Sequence, residues 1–547
     1  MALNSSTLVD IPSGCHKVPV KGTTYIYLHL GSHKNENGQN INERVAIGKL
    51  DPDSGKLVPN EKYYYYFPEK RQYSEPNLTL RCGSYAVFKK YVEDLNLFKD
   101  LEKAFGKENT EKVLSLAHYM LKEGSIMYYF SDFIEDSMSF SDDVLESPEI
   151  SKLFESLSEE NRRAFFNDWI KHNKNDKECL AYDVTSISSY SDTLESLENG
   201  YNRDKENLPQ INLGMFVGSE TKLPLYYRYY PGSINDKTHL EYMSKDLKDL
   251  EIKKAYFLMD GGFHSEENMK YMSSNGIRFV IGLPTNLKIV KDLIDKRRNE
   301  IVGKSANKMG NSLVYGKEFR SSYYGFRMNV HLYYDPEKAA LNEETLYNSL
   351  DKMEADLADM ETAPGSNTNM SKFFNITEKE TVTEVNGKEI KHRYLVFERN
   401  AAAIDEALAR CGFFAIAETV FTKSSKEILD LYRDRDMIEK CFDDMKNRTD
   451  LKRLHCRKEE TVSGKLFVAF ISQVILSRLR LNLGNYLDKE NMTMKKALLE
   501  LDKIKIQAVP TKKEGEKTYR LLNPITKKQR LMLEQMGMDE TIFDNLR

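Results

Sequence analysis

Residues 432–446, which read YRDRDMIEKCFDDMK, decide the fold of this chain. Four polar or charged side chains recur in this segment at helical spacing. Successive residues of a helix are turned by about 100°, so the four fall within about 60° on one face. They are Tyr432, Arg435, Glu439 and Lys446. The apolar stripe beside them predicts a helix that docks on a core with its polar group at the edge. That stripe consists of Leu431, Ile438, Phe442 and Met445.

Taken alone, this pattern also has an ordinary explanation. Arg435 and Glu439 are four residues apart, which is the spacing of an ion pair on a solvated helix face. A functional interpretation therefore depends on two further acids that lie upstream, Asp183 and Asp260.

Both upstream acids lie in or directly after a predicted strand. Asp260 follows the apolar run Tyr256–Met259 and precedes a Gly-Gly pair. The end of a buried strand in an α/β sheet is a common place for a site, although an aspartate there can also cap a turn. Asp183 lies inside the apolar stretch 180–188. An inward carboxylate is costly unless it is paired or binds a metal, and a solvent-facing position is the alternative.

Alternating strand and helix patterns surround these acids and predict an α/β fold with a mixed sheet flanked by helices. Aromatic strand-like runs (323–326 and 330–334) and a charged helical stretch (336–361) interrupt this alternation after residue 300. The predicted division is a β-rich N-terminal region (1–95), a helical domain (96–175), a core in two parts (176–299 and 401–485), an insertion domain between them (300–400) and a C-terminal helical region (486–547).

The spacing Tyr432-x2-Arg435-x3-Glu439-x6-Lys446 resembles the signature of bacterial insertion-sequence transposases of the DDE class. The segments around Asp183 (183–185) and Asp260 (258–263) resemble the strands that carry the first two acids of that family. The resemblance implies a ribonuclease H-like core interrupted by a β-rich insertion. A gap of 179 residues (439 − 260) between the second and third acids leaves room for such an insertion.

The same resemblance implies a chemistry and a set of partners. Asp183, Asp260 and Glu439 would be both the catalytic acids and the ligands of two Mg²⁺ ions, for which Mn²⁺ can substitute. The reaction would be strand cleavage at element ends followed by attack of the 3′-hydroxyl on target DNA. The partners would be double-stranded DNA, as terminal inverted repeats and target, and a second copy of the chain in a synaptic homodimer. End recognition is assigned to the helical domain.

Six residues are expected to bind DNA. Tyr432, Arg435 and Lys446 are assigned to phosphates near the cleavage point by the resemblance. The basic run that follows would extend this phosphate track, or it is a solvated loop. Its members in this assignment are Arg448, Lys452 and Arg453.

The formal net charge of −4, from 80 basic and 84 acidic residues, neither supports nor excludes a DNA partner, because opposite charges can segregate into patches. The longest apolar run, Leu466–Leu476, is shorter than the roughly 20 residues that span a bilayer. Without a secretion signal at the N-terminus, we expect a cytoplasmic bacterial protein that does not enter a membrane.

Two questions about the chemistry stay open at this stage. A nuclease or resolvase on the same core would cut without joining, and a catalytically silent relative would only bind DNA. Some relatives cut through a DNA hairpin with a base flipped onto an aromatic residue, often tryptophan. Trp169, the only tryptophan, lies before the core and is expected to be buried in a helical domain, whereas Tyr323, Tyr324 or Phe326 could stack a base.

Overall fold

A computed structural model describes residues 8–20, 22–34, 40–67, 78–175, 178–234, 236–250, 256–366, 368–385, 388–509 and 519–546. The chain forms two compact units. The first unit consists of 1–90, 127–150 and 486–547, and the second consists of 91–126 and 151–485.

The strands of the described residues are β1 (Cys15–Val20), β2 (Thr23–Lys34), β3 (Asn40–Leu50), β4 (Leu57–Pro59), β5 (Leu78–Arg81), β6 (Leu180–Ser188), β7 (Gln210–Gly218), β8 (Pro224–Pro231), β9 (Tyr256–Met259), β10 (Arg278–Leu283), β11 (Tyr315–Tyr323), β12 (Phe326–Tyr334), β13 (Phe374–Val385), β14 (Lys388–Arg399), β15 (Phe413–Glu418), β16 (Lys505–Val509) and β17 (Tyr519–Leu522).

The α-helices are α1 (Glu61–Tyr66), α2 (Gly83–Asp94), α3 (Leu97–Phe105), α4 (Lys107–Glu123), α5 (Phe130–Asp136), α6 (Ser147–Ser156), α7 (Glu159–Asn173), α8 (Asp236–Asp249), α9 (Glu266–Ser274), α10 (Lys288–Ile301), α11 (Pro336–Ala358), α12 (Asn369–Phe373), α13 (Ala401–Leu408), α14 (Ser425–Arg433), α15 (Asp436–Asn447), α16 (Glu459–Lys489), α17 (Met494–Leu501) and α18 (Lys527–Gln535).

The first unit contains two small sheets. Strands β1 to β4 form an antiparallel sheet in sequence order, as the β-rich pattern of the N-terminal region predicts. Ile26, Ile47 and Leu57 are completely buried in its core. The second sheet has the order β17-β16-β5, so β5 pairs with a strand more than 400 residues later. The C-terminal region is therefore not helical throughout, because β16 and β17 lie within it.

The second unit is built on an eight-stranded mixed sheet with the order β11-β12-β15-β10-β9-β6-β7-β8. Strand β9 runs parallel to both β6 and β10, and the other neighbours are antiparallel. All nine residues of β7 are buried, as expected for an inner strand covered on both faces. This sheet is consistent with the ribonuclease H-like core predicted from the sequence.

Helix α16 is longer than the apolar run predicted from the sequence. Its 31 residues are long and apolar enough, by length and composition, to cross a bilayer. However, 78% of its most apolar window is buried inside the protein. Side chains such as Phe467 and Phe470 pack against the rings of α7, so the helix serves as a core element of the fold.

The insertion is shorter than the predicted 300–400. Strands β11 and β12 belong to the central sheet, where β12 pairs with β15 from Tyr334 opposite Phe413 to Asn329 opposite Glu418. Between these two strands, residues 335–412 lie outside the sheet and carry α11, α12, the hairpin of β13 and β14, and α13. These elements form a core of their own around Leu350, Leu357, Phe373, Phe374, Leu395 and Ile404.

Two aromatic predictions have different outcomes. Trp169 is completely buried on α7, and its indole N–H donates to the carbonyl oxygen of Pro224 at 3.0 Å, which confirms its place in a core. The run 323–326 is not a strand, because Tyr324, with a φ of 49°, and Gly325 form the turn between β11 and β12.

Candidate active site

Two of the predicted catalytic acids lie in or directly after adjacent strands. Strands β6 and β9 are parallel, and their last paired residues are Tyr182 and Met259. The next residue of each chain segment, Asp183 and Asp260, therefore lies beside the other. Asp183 is the fourth residue of β6 and its side chain is one-fifth exposed. Asp260 directly follows β9, and its Oδ1 accepts a hydrogen bond from the backbone N–H of Gly261 at 2.6 Å. The cap expected for this aspartate is present, and it does not prevent the side chain from facing the site.

Tyr432, near the end of α14, contacts the end of β9 and the neighbouring strand β10. Its hydroxyl donates to Oδ1 of Asp260 at 3.3 Å. A Cβ atom at Gly282 of β10 would lie only 2.4 Å from that hydroxyl oxygen. The close approach therefore requires glycine at this position. Sequence reasoning did not identify Gly282, although glycine inside a strand often marks such an approach.

The predicted single helix across 432–446 is wrong. Helix α14 ends at Arg433 and α15 begins at Asp436, with Asp434 and Arg435 in the joint. Backbone bonds here span three residues instead of four, from the N–H of Arg435 to the carbonyl oxygen of Tyr432 and from that of Ile438 to Arg435. The tighter joint separates Tyr432 from Glu439 onto two helices and leaves Arg435 between them.

Arg435 is the point on which the site converges. Its Nη2 lies 2.6 Å from Oε1 of Glu439, and its Nη1 lies 3.8 Å from Oδ2 of Asp183. Its guanidinium carbon is 5.7 Å from the centre of the Tyr432 ring. The charge of Asp260 also acts on this guanidinium. The ordinary i,i+4 ion pair is thus present, but it is part of a cluster with the other acids.

The electrostatics of this cluster are dominated by burial, to which the neighbouring negative charge of Asp260 adds. Burial raises the pKa of the Asp183 carboxyl to about 6, although the Val184 N–H, Arg435 and Arg203 favour the charged form. The neighbouring charge of Asp260 adds to the rise. Burial and the Asp260 charge also raise the pKa of Tyr432 to about 12, so its hydroxyl remains protonated at neutral pH.

The three acids fit a divalent cation by the chemistry of their donors. Carboxylate oxygens suit hard cations such as Mg²⁺, and the partly buried carboxylate of Asp183 is paired only loosely with Arg435, at 3.8 Å. Among the described residues, no group of three or more His, Cys, Asp or Glu side chains already has the arrangement of a metal site. In this structure, the guanidinium of Arg435 supplies positive charge to the three carboxylates.

The remaining predicted DNA-binding cations are engaged in ion pairs or buried. Lys446 Nζ lies 2.7 Å from Oδ2 of Asp204. Lys452 and Arg453 both bind Glu206, at 3.3 and 2.8 Å. The two acids, on the connection between β6 and β7, were missed because nothing in the sequence links this charged run to residues some 240 positions later.

Arg448 lies in a different environment from the other cations. Burial lowers its pKa, and its charge is balanced by Asp444. Asp444 is itself bound by Arg480 of α16, with Nη2 of the arginine 2.5 Å from Oδ1. Arg448 is therefore placed against α16 and not with the pairs formed by Lys446 and Arg453.

A buried polar network supports the helix that carries Tyr432. Glu418, at the end of β15, is completely buried and accepts a hydrogen bond from Asn329 Nδ2 at 2.8 Å. His331 Nε2 lies 3.6 Å from the same carboxylate, and its Nδ1 is 2.9 Å from Oγ of Ser425. Ser425 is the first residue of α14, so the network fixes the start of this helix relative to the sheet.

An aromatic group stands at the turn between β11 and β12. The ring centres of Tyr323 and Tyr324 are 4.0 Å apart, and His264 stacks on Tyr323 with centres at 5.9 Å. His264 lies four residues after Asp260, so these rings are tied to the turn that carries the second acid.

Comparison with known proteins gives a family match and a distant structural likeness. Residues 174–475, which are 302 of the 547 residues, match the family described as transposase DDE domain. A search of curated proteins finds no match. A piggyBac transposase, solved by cryo-EM in a synaptic complex with hairpin DNA, aligns with a TM-score of 0.31 at 10% identity, covering 75% of this chain and 69% of that one.

Proposed function

Because this chain belongs to the transposase DDE domain family, and is accordingly a transposase, we propose that it performs cut-and-paste transposition with Asp183, Asp260 and Glu439 as its catalytic acids and metal ligands. Strand cleavage at the ends of an element would be followed by transfer of the 3′-hydroxyl to target DNA. One observation carries the assignment of residues: acids from β6, the end of β9 and α15 converge on Arg435.

Members of this family typically use divalent metals. When bound, two Mg²⁺ ions, or Mn²⁺ in their place, would activate the attacking oxygen and stabilise the leaving oxygen of an in-line displacement. Asp183, Asp260 and Glu439 would hold them.

The protein's own groups have defined tasks in this proposal. Tyr432 keeps its proton and orients the carboxylate of Asp260 by donating a hydrogen bond. Arg435 neutralises the acids while no cation is present. Once the acids are otherwise neutralised, its guanidinium donors are available to a DNA phosphate, for which their planar geometry is suited.

The partners follow from the same proposal. The substrates are double-stranded DNA at the terminal repeats of the element and at the target, and the active species is a homodimer that holds two ends together. We further propose that the protein works in the cytoplasm of a bacterium as part of an insertion sequence. End recognition is assigned to the helices between 96 and 175.

The test is a cleavage and strand-transfer assay with the purified chain and labelled DNA from the flanks of its gene, in Mg²⁺ or EDTA. Glu439→Gln should abolish both nicking and joining. Asp436→Asn, which removes an exposed acid of the same helix, is the matched control and should retain both activities. Cutting without joining would instead identify a nuclease, and DNA binding without cutting by the unmodified chain would identify a catalytically silent relative.

A further inference from the structure

The turn 203–206, between β6 and β7, carries two acids that form ion pairs with predicted DNA-binding cations. Asp204 binds Lys446, and Glu206 binds Lys452 and Arg453. Three cations, one in the last turn of α15 and two on the segment after it, are therefore neutralised by two carboxylates from one short turn.

These ion pairs are partly shielded from water, which distinguishes them from ordinary surface pairs. The side chains of Lys446 and Asp204 are only 12% and 26% exposed, and those of Arg453 and Glu206 are both 19% exposed. Shielded pairs are less screened by salt than exposed ones. A competing anion must therefore displace the carboxylates, because salt alone releases them poorly.

Glu206 is the better-held of the two acids. Arg453 donates to both of its oxygens, and Ser188 Oγ donates to one of them at 3.0 Å. These hydrogen bonds hold its pKa down to about 2, so the carboxylate is charged at every pH at which the protein would act. Protonation cannot release Arg453, and only another anion can take its place.

The turn is held in a disfavoured backbone conformation. Lys205, between the two acids, has a φ of 57°, which residues with a Cβ atom rarely adopt. Asn202 closes the turn: its Oδ1 accepts from the N–H of Asp204 at 2.8 Å and from that of Glu206 at 3.3 Å. The ion pairs thus help to retain a conformation that the backbone would otherwise tend to leave.

A DNA phosphate and a carboxylate bind Lys and Arg through the same donors, so both cannot occupy Lys446 or Arg453 in full. We propose that Asp204 and Glu206 form an acidic mask, which imitates the DNA backbone in the DNA-free protein and must be displaced when DNA binds. This inference rests on the proposed function, because it takes the end of α15 and the segment after it as a DNA-binding surface. The mask lowers affinity for DNA of any sequence, so stable binding requires the additional contacts that element ends provide.

Binding of a fluorescein-labelled, random-sequence duplex, followed by anisotropy at about 0.1 M ionic strength, tests the mask. Asp204→Asn and Glu206→Gln keep the shape of each side chain and remove its charge. Each should tighten binding roughly three- to tenfold, because a phosphate no longer has to displace a carboxylate. Glu195→Gln, on the same connection, removes an exposed acid to which no ion pair is assigned in the described residues, and it should change affinity less than twofold.

The outcomes separate the mask from the proposed function. Weaker binding in Asp204→Asn or Glu206→Gln would mean that the acids position the cations, and it would overturn the mask. A gain in DNA affinity no larger than that of Glu195→Gln would also overturn the mask. In both cases the transposase assignment would stand. If neither the unmodified chain nor any variant binds DNA, the surface itself and the mask are both wrong.

A measurement on the unmodified chain guards against misfolded variants. Hydrogen exchange with and without the duplex should show faster exchange at the amides of Asp204 and Glu206, whose hydrogen bonds to Asn202 are lost when the turn is displaced. Residues 446–453 should exchange more slowly under DNA, and the fully buried strand β7 is the internal reference. Unchanged or slower exchange at the turn would overturn the mask.

Discussion

A single methyl group at Gly282 should separate activity from stability in this protein. In Gly282→Ala, the added Cβ atom would lie 2.4 Å from the hydroxyl oxygen of Tyr432 and 3.1 Å from the ring carbon that bears it. The tyrosine must therefore retreat by about 1 Å to restore an ordinary contact of about 3.5 Å. Its hydrogen bond to Asp260 is already 3.3 Å long and would be lost.

The two expected magnitudes differ widely. A displacement of about 1 Å in a positioning group costs roughly 100-fold in rate. The free energy of unfolding should fall by only about 1 kcal/mol, because the severe clash is with the end of a side chain. The backbone nitrogen of Gly261, 3.2 Å from the added Cβ atom, has to move by only a few tenths of an ångström. Strand transfer and thermal unfolding of the same preparation measure both quantities.

Gly262→Ala is the matched control, because a Cβ atom there would meet no atom of the described residues within 4 Å. It should retain activity although it lies two residues from Asp260. In a Tyr432→Phe background, which lacks the clashing hydroxyl, Gly282→Ala should cost much less than 100-fold. Full activity in Gly282→Ala, or equal losses in the two alanine variants, would refute this account of the site.

Two further predictions concern stability. Because the pKa of Asp183 is raised to about 6 in the folded state from an ordinary 3.8, its ionised form destabilises the metal-free protein above pH 6, and this penalty disappears as the pH falls below 4. In EDTA, Asp183→Asn should thus raise the free energy of unfolding by about 2–3 kcal/mol at pH 8 and leave it unchanged near pH 4. If the variant differs from the unmodified chain by the same amount at both pH values, the raised pKa of Asp183 is not the cause. Glu418→Gln should lower the free energy of unfolding by about 2–4 kcal/mol because it breaks a fully buried network. As a control, Glu427→Gln changes an exposed capping residue of α14 and should lower the free energy of unfolding by less than about 1 kcal/mol. If chemical denaturation gives equal losses for the two variants, the network at Glu418 is not important for stability.

The local part of the fold could be predicted because its signals are short-range. The apolar run 180–188 predicts β6 with its exact bounds, since an inner strand is apolar on both faces. Likewise, the acids could be proposed from spacing and from the ends of strands. The break at Asp434 and Arg435 could not, because both residues have helical backbone angles and neither is glycine or proline.

Long-range pairing explains most of the remaining errors. Strand β5 pairs with β16, and nothing in either sequence selects the other. Strands β11 and β12 read as part of an insertion because aromatic, alternating runs do not reveal which sheet they join. The pairing of Asp204 with Lys446 has the same origin, since a charge pattern does not specify its partner.

The insertion leaves and re-enters the central sheet at one point. Tyr334, the last residue of β12, is paired with Phe413, the first residue of β15, and the N–H of Asp335 donates to the carbonyl oxygen of Gly412 at 2.9 Å. The 78 residues between Tyr334 and Phe413 (413 − 334 − 1) are therefore an expanded hairpin loop, and the entropy of closing such a loop grows only slowly with its length. Evolution can lengthen, shorten or exchange this cassette without changing the register of the strands beneath it, and an engineer can replace it with a short turn to test what the cassette contributes.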